Sequence, residues 1–149
     1  MSARPPITCH VLDTMSGTPA SSISVYLTCL GNKAVQGGES EVAFAGKTNN
    51  DGRVTMWKAW SPKEAKHVDQ YSMEDVFRRT EGEMLWAMSF DTGAYWEAKG
   101  VKPFFPQVDI KFTTQGYGGR DMSAVEEKNK HWHVPLLLGP YSYTTYRGS

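Results

Sequence analysis

Apolar and polar residues alternate along most of this chain, and a period of two is the mark of strands with one buried face. In ITCHVLD, Ile7, Cys9 and Val11 share one face while Thr8, His10 and Leu12 share the other. TMSGTP supplies a turn, and ISVYLTCL sets Ile23, Val25, Leu27 and Cys29 on the next apolar face. GNKAVQGGES reads as a glycine-rich loop and EVAFAGKT as a third strand carrying Val42 and Phe44. NNDG is a strong turn signal, because Asn, Asp and Gly tolerate positive φ. It delivers Arg53 to the start of a fourth strand, RVTMW. The pattern to this point predicts antiparallel strands joined by turns.

From Ser61 to Gly82 the period changes. SPKE has the form of a capping box, with Ser61 as N-cap, Pro62 at the first helical position and Glu64 reaching back. Met73, Val76 and Phe77 follow at helical spacing, so one or two short helical turns are expected there, on the surface. EMLWAMSFD resumes as a strand. TGAYWEAKG predicts a short helix capped by Asp91 or Thr92 and ended by Gly100. PFFPQVDIKFTT is a bend and a strand with Val108, Ile110 and Phe112 on one side, and QGYGGRDMSAVEEKNK is a long loop. The last two strands, KHWHVPLLL and YSYTTYRG, are joined by a tight Gly-Pro turn. About eight strands with turns at short intervals and one short helix predict an all-β sandwich of two sheets in a single domain, residues 1–149.

Charge narrows the partners. Sixteen basic and sixteen acidic side chains leave a formal net charge of zero. That is no basis for binding nucleic acid or a membrane surface, both of which need a positive field. No apolar run approaches the roughly 20 residues of a membrane span. The opening MSARPPIT has no hydrophobic core of a secretory signal, and two cysteines are too few for a disulfide scaffold. A protein of the cytoplasm or peroxisome, not a secreted one, is expected.

Strand parity singles out the histidines. His10 lies opposite Ile7, Cys9 and Val11; His131 and His133 lie opposite Trp132, Val134, Leu136 and Leu138. If the apolar faces build the core, all three imidazoles point out of it. Taken singly, a strand histidine is usually a surface residue, Arg53 after a turn would be solvated, and the terminal tyrosines could be plain strand aromatics. The His-x-His spacing at 131 and 133 puts two metal-ligand types on one face, but no third ligand is evident, and no metal or cofactor is expected. Cys9 and Cys29 read as small buried hydrophobes.

Three stretches taken together go further: CHVLDTMSGTPASSISVYL near the start, DGR in the middle and HWHVPLLLGPYSYTTYRGS at the close. They resemble the transthyretin-like family, and within it the 5-hydroxyisourate hydrolases, whose discriminating mark is the ending Tyr-Arg-Gly-Ser. DTGAYWEAKGVKPFFPQVDIKF also resembles the strand, short helix and strand of that family, while Ser61 to Gly82 and Gly116 to Glu127 are longer than in its compact bacterial members. The resemblance implies a transthyretin-like sandwich that hydrolyses the ring amide of 5-hydroxyisourate to 2-oxo-4-hydroxy-4-carboxy-5-ureidoimidazoline in urate breakdown, without a cofactor.

Carried over by residue, His10, Arg53, His133 and Ser149 match the catalytic positions, and Tyr146, Arg147 and Gly148 complete a substrate-binding tail, with His131 at the rim. Either His10 or His133 could activate the water, and nucleophilic attack by Ser149 is the weaker route. The resemblance also implies a homotetramer with sites at subunit interfaces. Two other readings stay open: a carrier of small hormone-like ligands without hydrolase activity, and an interaction protein that keeps only the fold.

Overall fold

The computed structural model describes residues 4–31 and 42–149, so most of the glycine-rich GNKAVQGGES stretch lies outside the described residues. Two sheets face each other. The first is built from β1 (Ile7–Asp13), β2 (Thr18–Pro19), β5 (Arg53–Val54), β10 (Trp132–Leu138) and β11 (Tyr143–Thr145), in the order β11-β10-β1-β2 with β5 also paired to β1. The second runs β7-β6-β4-β3-β8-β9, from β3 (Ser24–Gly31), β4 (Ala43–Lys47), β6 (Lys58–Ser61), β7 (Lys66–His67), β8 (Glu83–Phe90) and β9 (Val108–Gln115). Helix α1 (Met73–Arg79) precedes β8 and helix α2 (Thr92–Ala98) follows it.

The alternating faces close the core as expected. Ile7, Cys9, Val11, Trp132, Val134, Leu136 and Leu138 from the first sheet meet Val25, Leu27, Phe44, Trp86, Met88 and Phe90 from the second, all buried. Burial raises the Cys9 thiol to about 12, so it stays protonated and unreactive. Cys29 is only half-buried, at the frayed end of β3, with its Sγ 3.7 Å from the Gly31 carbonyl.

Four local expectations change. The strands are not all antiparallel: β1 and β10 run parallel, in a register that pairs Thr8 with His133 and His10 with Pro135. SPKE does not start a helix. The Ser61 hydroxyl does accept from the Glu64 amide at 3.1 Å, but Ala65 turns to a positive φ of 53° and the chain folds back as the β6–β7 hairpin. The helix begins at Ser72, whose hydroxyl and the Asp75 carboxylate each accept the other's backbone amide. Finally, α1 is no surface turn, since Met73, Val76 and Phe77 are all buried. Phe77 stacks on Trp86 of the second sheet at 5.8 Å and on Trp132 of the first at 5.5 Å, so it closes one end of the sandwich.

Helix α2 lies where expected, and Gly100 ends it at a φ of 71°. Its anchor is Asp13 at the end of β1. That carboxylate is 1% exposed and accepts from the Tyr95 hydroxyl at 2.6 Å, Lys99 Nζ at 2.9 Å and the amides of Met15 and Ser16. Burial alone would raise its pKa, but these hydrogen bonds outweigh burial and hold it at about 2. A carboxyl depressed in the folded state stabilises above its unfolded pKa, and that stability is lost as pH falls through the folded value. Asp13→Asn is therefore expected to cost about 2 kcal/mol at pH 7. Urea unfolding should show the gap from wild type closing between about pH 4 and pH 2; a gap independent of pH would refute the charged role.

Candidate active site

The outward face of the first sheet carries the candidate residues, and three local features bring them together. NNDG places Arg53. The Asn49 side-chain oxygen accepts from the amides of Asp51 and Arg53, at 2.9 and 3.0 Å. Gly52 adopts a φ of 74°, and a Cβ there would sit 2.4 Å from the Val11 carbonyl. This close approach lets the Val11 amide reach the Gly52 carbonyl at 2.8 Å and sets Arg53 directly opposite His10 on the β1–β5 pair.

His133 comes from the neighbouring strand. Its ring lies 6.5 Å from that of His10, centroid to centroid, with the planes 29° apart. Its Nδ1 is 2.7 Å from the Thr8 hydroxyl. The chain's last residues return to the same ring. The Gly148 amide donates to the His133 carbonyl at 2.8 Å, and a Cβ on Gly148 would meet the His133 ring and Pro135 at 2.8 Å each. Ser149, the next residue, is exposed beside this contact.

Both imidazoles titrate below the ordinary histidine value. For His10 the main cause is loss of hydration, followed by the charge of Arg53, partly offset by a hydrogen bond to the Asp51 carbonyl. For His133 it is again burial, then Arg53, His10 and Arg4. A neutral ring is the form that can accept a proton or donate a neutral hydrogen bond, and both shifts favour it. The Arg53 side chain is exposed. Its field reaches both rings, and it has five donors to offer a developing oxyanion.

The eight predicted residues do not all gather in one place. His10, Arg53 and His133 form one group, and the Gly148–Ser149 end abuts it. His131 lies apart, its Nδ1 3.3 Å from the Pro5 carbonyl, and its pKa is lowered by burial and then by Arg4. Arg147 turns away from the imidazoles. Its Nη2 donates to the carbonyls of Lys128 and His131, and its guanidinium lies over the Trp132 ring at 5.8 Å. It clamps the tail to the segment before β10. Tyr146 is 57% exposed and, with Arg147, lines a cleft of about 400 Å³ between β9 and β10 that touches His133 but neither His10 nor Arg53. The group of His10, Arg53 and His133 therefore lies on the open sheet face and not in that cleft. Among the described residues no three His, Cys, Asp or Glu side chains gather as a metal set, and no helix is long and apolar enough to cross a membrane.

Sequence reasoning missed Thr8, Asn49 and Arg4. Thr8 carried a signal, since parity put it on the face of His10. Asn49 lay within the turn motif. Nothing in the pattern pointed to Arg4.

Comparison with known proteins gives the family. The model of the HIUase/Transthyretin family matches residues 7–148. A probable 5-hydroxyisourate hydrolase of Schizosaccharomyces pombe is 36% identical over 145 residues, covering 97% of this chain and 92% of that protein. The 5-hydroxyisourate hydrolase of Mus musculus is 33% identical over 144 residues, covering 97% and 95%. Among solved structures, transthyretin from Sparus aurata superposes with a TM-score of 0.62 at 24% identity over 97% of both chains, a likeness of fold alone. With its sandwich, its paired histidines and these relatives, the chain belongs to the HIUase/Transthyretin family.

Proposed function

We propose that this protein is a 5-hydroxyisourate hydrolase in urate breakdown. The observation that carries the reading is the joint placement of His10, Arg53 and His133 on one sheet face with the Gly148–Ser149 end against His133. Curated relatives of this chain, from a yeast and a mammal, bear that enzyme's name. The carrier alternative is not favoured, because an outward face of imidazoles and a guanidinium poorly matches an apolar ligand.

The finer chemistry we propose is hydrolysis of a ring amide. A neutral imidazole takes a proton from water as the water oxygen bonds to the carbonyl carbon. The carbonyl oxygen becomes an oxyanion beside Arg53. Collapse of that intermediate breaks the carbon–nitrogen bond, and the leaving nitrogen takes up the proton. Tyr146 and Ser149 border the substrate, with Ser149 as a hydrogen-bonding group in place of a nucleophile. Leu12 and Leu137 face outward and half-buried on this same sheet, and a zero net charge opposes no self-association, which supports a homotetramer whose subunits cover these faces. A solution mass equal to one chain would overturn that assembly.

The test of the activity is to generate 5-hydroxyisourate from urate with a urate oxidase and follow the decay of its near-ultraviolet absorbance. Decay at the spontaneous rate after adding the protein would reject the hydrolase. In the same assay Arg53→Ala is expected to lose about 100- to 1,000-fold in kcat. Arg53→Lys should not restore it, because a point charge lacks the planar fork; near wild-type turnover with lysine would remove that role.

A further inference from the structure

The two imidazoles sit in different surroundings. His10 stands opposite Arg53 on the β1–β5 pair. His133 meets a hydroxyl instead, Thr8 Oγ1 at 2.7 Å from Nδ1. A hydroxyl can donate or accept, so its surroundings decide. Thr8 is 8% exposed, and among the described residues its hydroxyl has no other hydrogen-bond partner. If it accepted from an Nδ1–H, its own proton would be left buried and unpaired, at a cost of about 1–3 kcal/mol. Donation to Nδ1 satisfies both groups. The neutral ring then carries its proton on Nε2.

We propose that Thr8 is a positioning residue that locks His133 in the Nε2–H tautomer, so that His133 serves as a neutral hydrogen-bond donor to the oxyanion beside Arg53 while His10 alone handles the proton. The inference rests on the hydrolase reading for its catalytic half. The balance is complete. His10 takes one proton from water as the carbon–oxygen bond forms, and returns it to the leaving nitrogen as the carbon–nitrogen bond breaks. His133 begins and ends neutral, and no imidazolate is needed. The charges facing His133 suit this role: Arg53 from β5, Arg4 from the segment before β1, and His10 from β1 when protonated all disfavour a second cation. Gly148 closes the Cδ2 edge of the ring, which leaves it little room to turn over.

The tautomer is read directly by proton–nitrogen correlation spectra of the imidazoles in the full-length protein, without substrate. Wild type and Thr8→Ser are expected to show His133 protonated at Nε2. Thr8→Val, which keeps the β-branched shape, should show a mixed tautomer and lose about 10- to 100-fold in kcat with little change in KM. Its acid limb, set by His10, should stay in place. A wild-type Nδ1–H tautomer at His133 would overturn the inference, as would Thr8→Val turning over at the wild-type rate or Thr8→Ser behaving like valine. Because the spectra need no turnover, an absent hydrolase activity leaves the tautomer assignment separately testable.

Discussion

His10→Ala is expected to slow the turnover of 5-hydroxyisourate by about 100- to 10,000-fold, the span of a lost general acid–base group. The residue faces Arg53 across the strand pair and stacks within 6.5 Å of His133, so nothing in the sheet has to move for it to act. What remains in the variant is the oxyanion stabilisation by Arg53, which does not depend on a proton acceptor. The pH profile sharpens the test. Burial and Arg53 lower the His10 pKa from 6.5, so the ring is neutral and competent at pH 7. Protonation on the acid side removes the base, and wild-type kcat/KM is expected to fall only at a pH below 6.5. In His10→Ala that limb should flatten. Retention of more than a tenth of the wild-type rate would take the proton transfer away from His10.

The largest loss of stability is expected at Phe77. Alanine there should cost about 3–5 kcal/mol, the range for truncating a buried phenylalanine. Phe77 is fully buried and stacks on Trp86 and Trp132, one from each sheet, with Tyr117 at 5.3 Å on a third side. The cavity would open where the sheets are joined by a helix and by no strand, so collapse around it is opposed by both. Phe77→Leu keeps most of the volume and should cost less than about 1.5 kcal/mol. Urea unfolding decides it. A loss under 1 kcal/mol for alanine would mean that α1 is a peripheral attachment.

Phe77 also shows where reading the sequence reaches its limit. Its helix was legible from the spacing of Met73, Val76 and Phe77, but its burial was not, because the partners that cover it lie in separate sheets. SPKE failed for a related reason: a serine hydroxyl satisfies an amide three residues on whether the chain goes on as a helix or doubles back. The direction of β10 against β1 was hidden because alternation is the same in parallel and antiparallel pairs. The outward face of His10 and His133 was readable from parity alone, since one residue of slip would have buried them. Their mutual distance was not, and neither was the bond from Thr8 to His133, two residues 125 apart in the chain. Arg147 looked like a ligand for substrate because its motif lies beside the site, yet its Nη2 donates to the backbone of Lys128 and His131.

The parallel β1–β10 pair has a consequence for how the enzyme comes into being. Its ladder joins residues 7–13 to residues 132–138, so nearly the whole chain must be looped out before the pair can zip. Contacts of such sequence separation are the slow ones, because the entropy of closing the loop is spent before any bond repays it. In the second sheet only the β3–β8 pair joins distant stretches, Val25 with Phe90, and its other pairs link strands nearer in the chain. The first has local pairs at each end, β1–β2 and β10–β11, but the two histidines remain strangers until the long β1–β10 closure is made. The His10–His133 pair is thus a property of the whole fold, and no contiguous fragment that lacks residues 7–13 or 132–138 can hold both imidazoles.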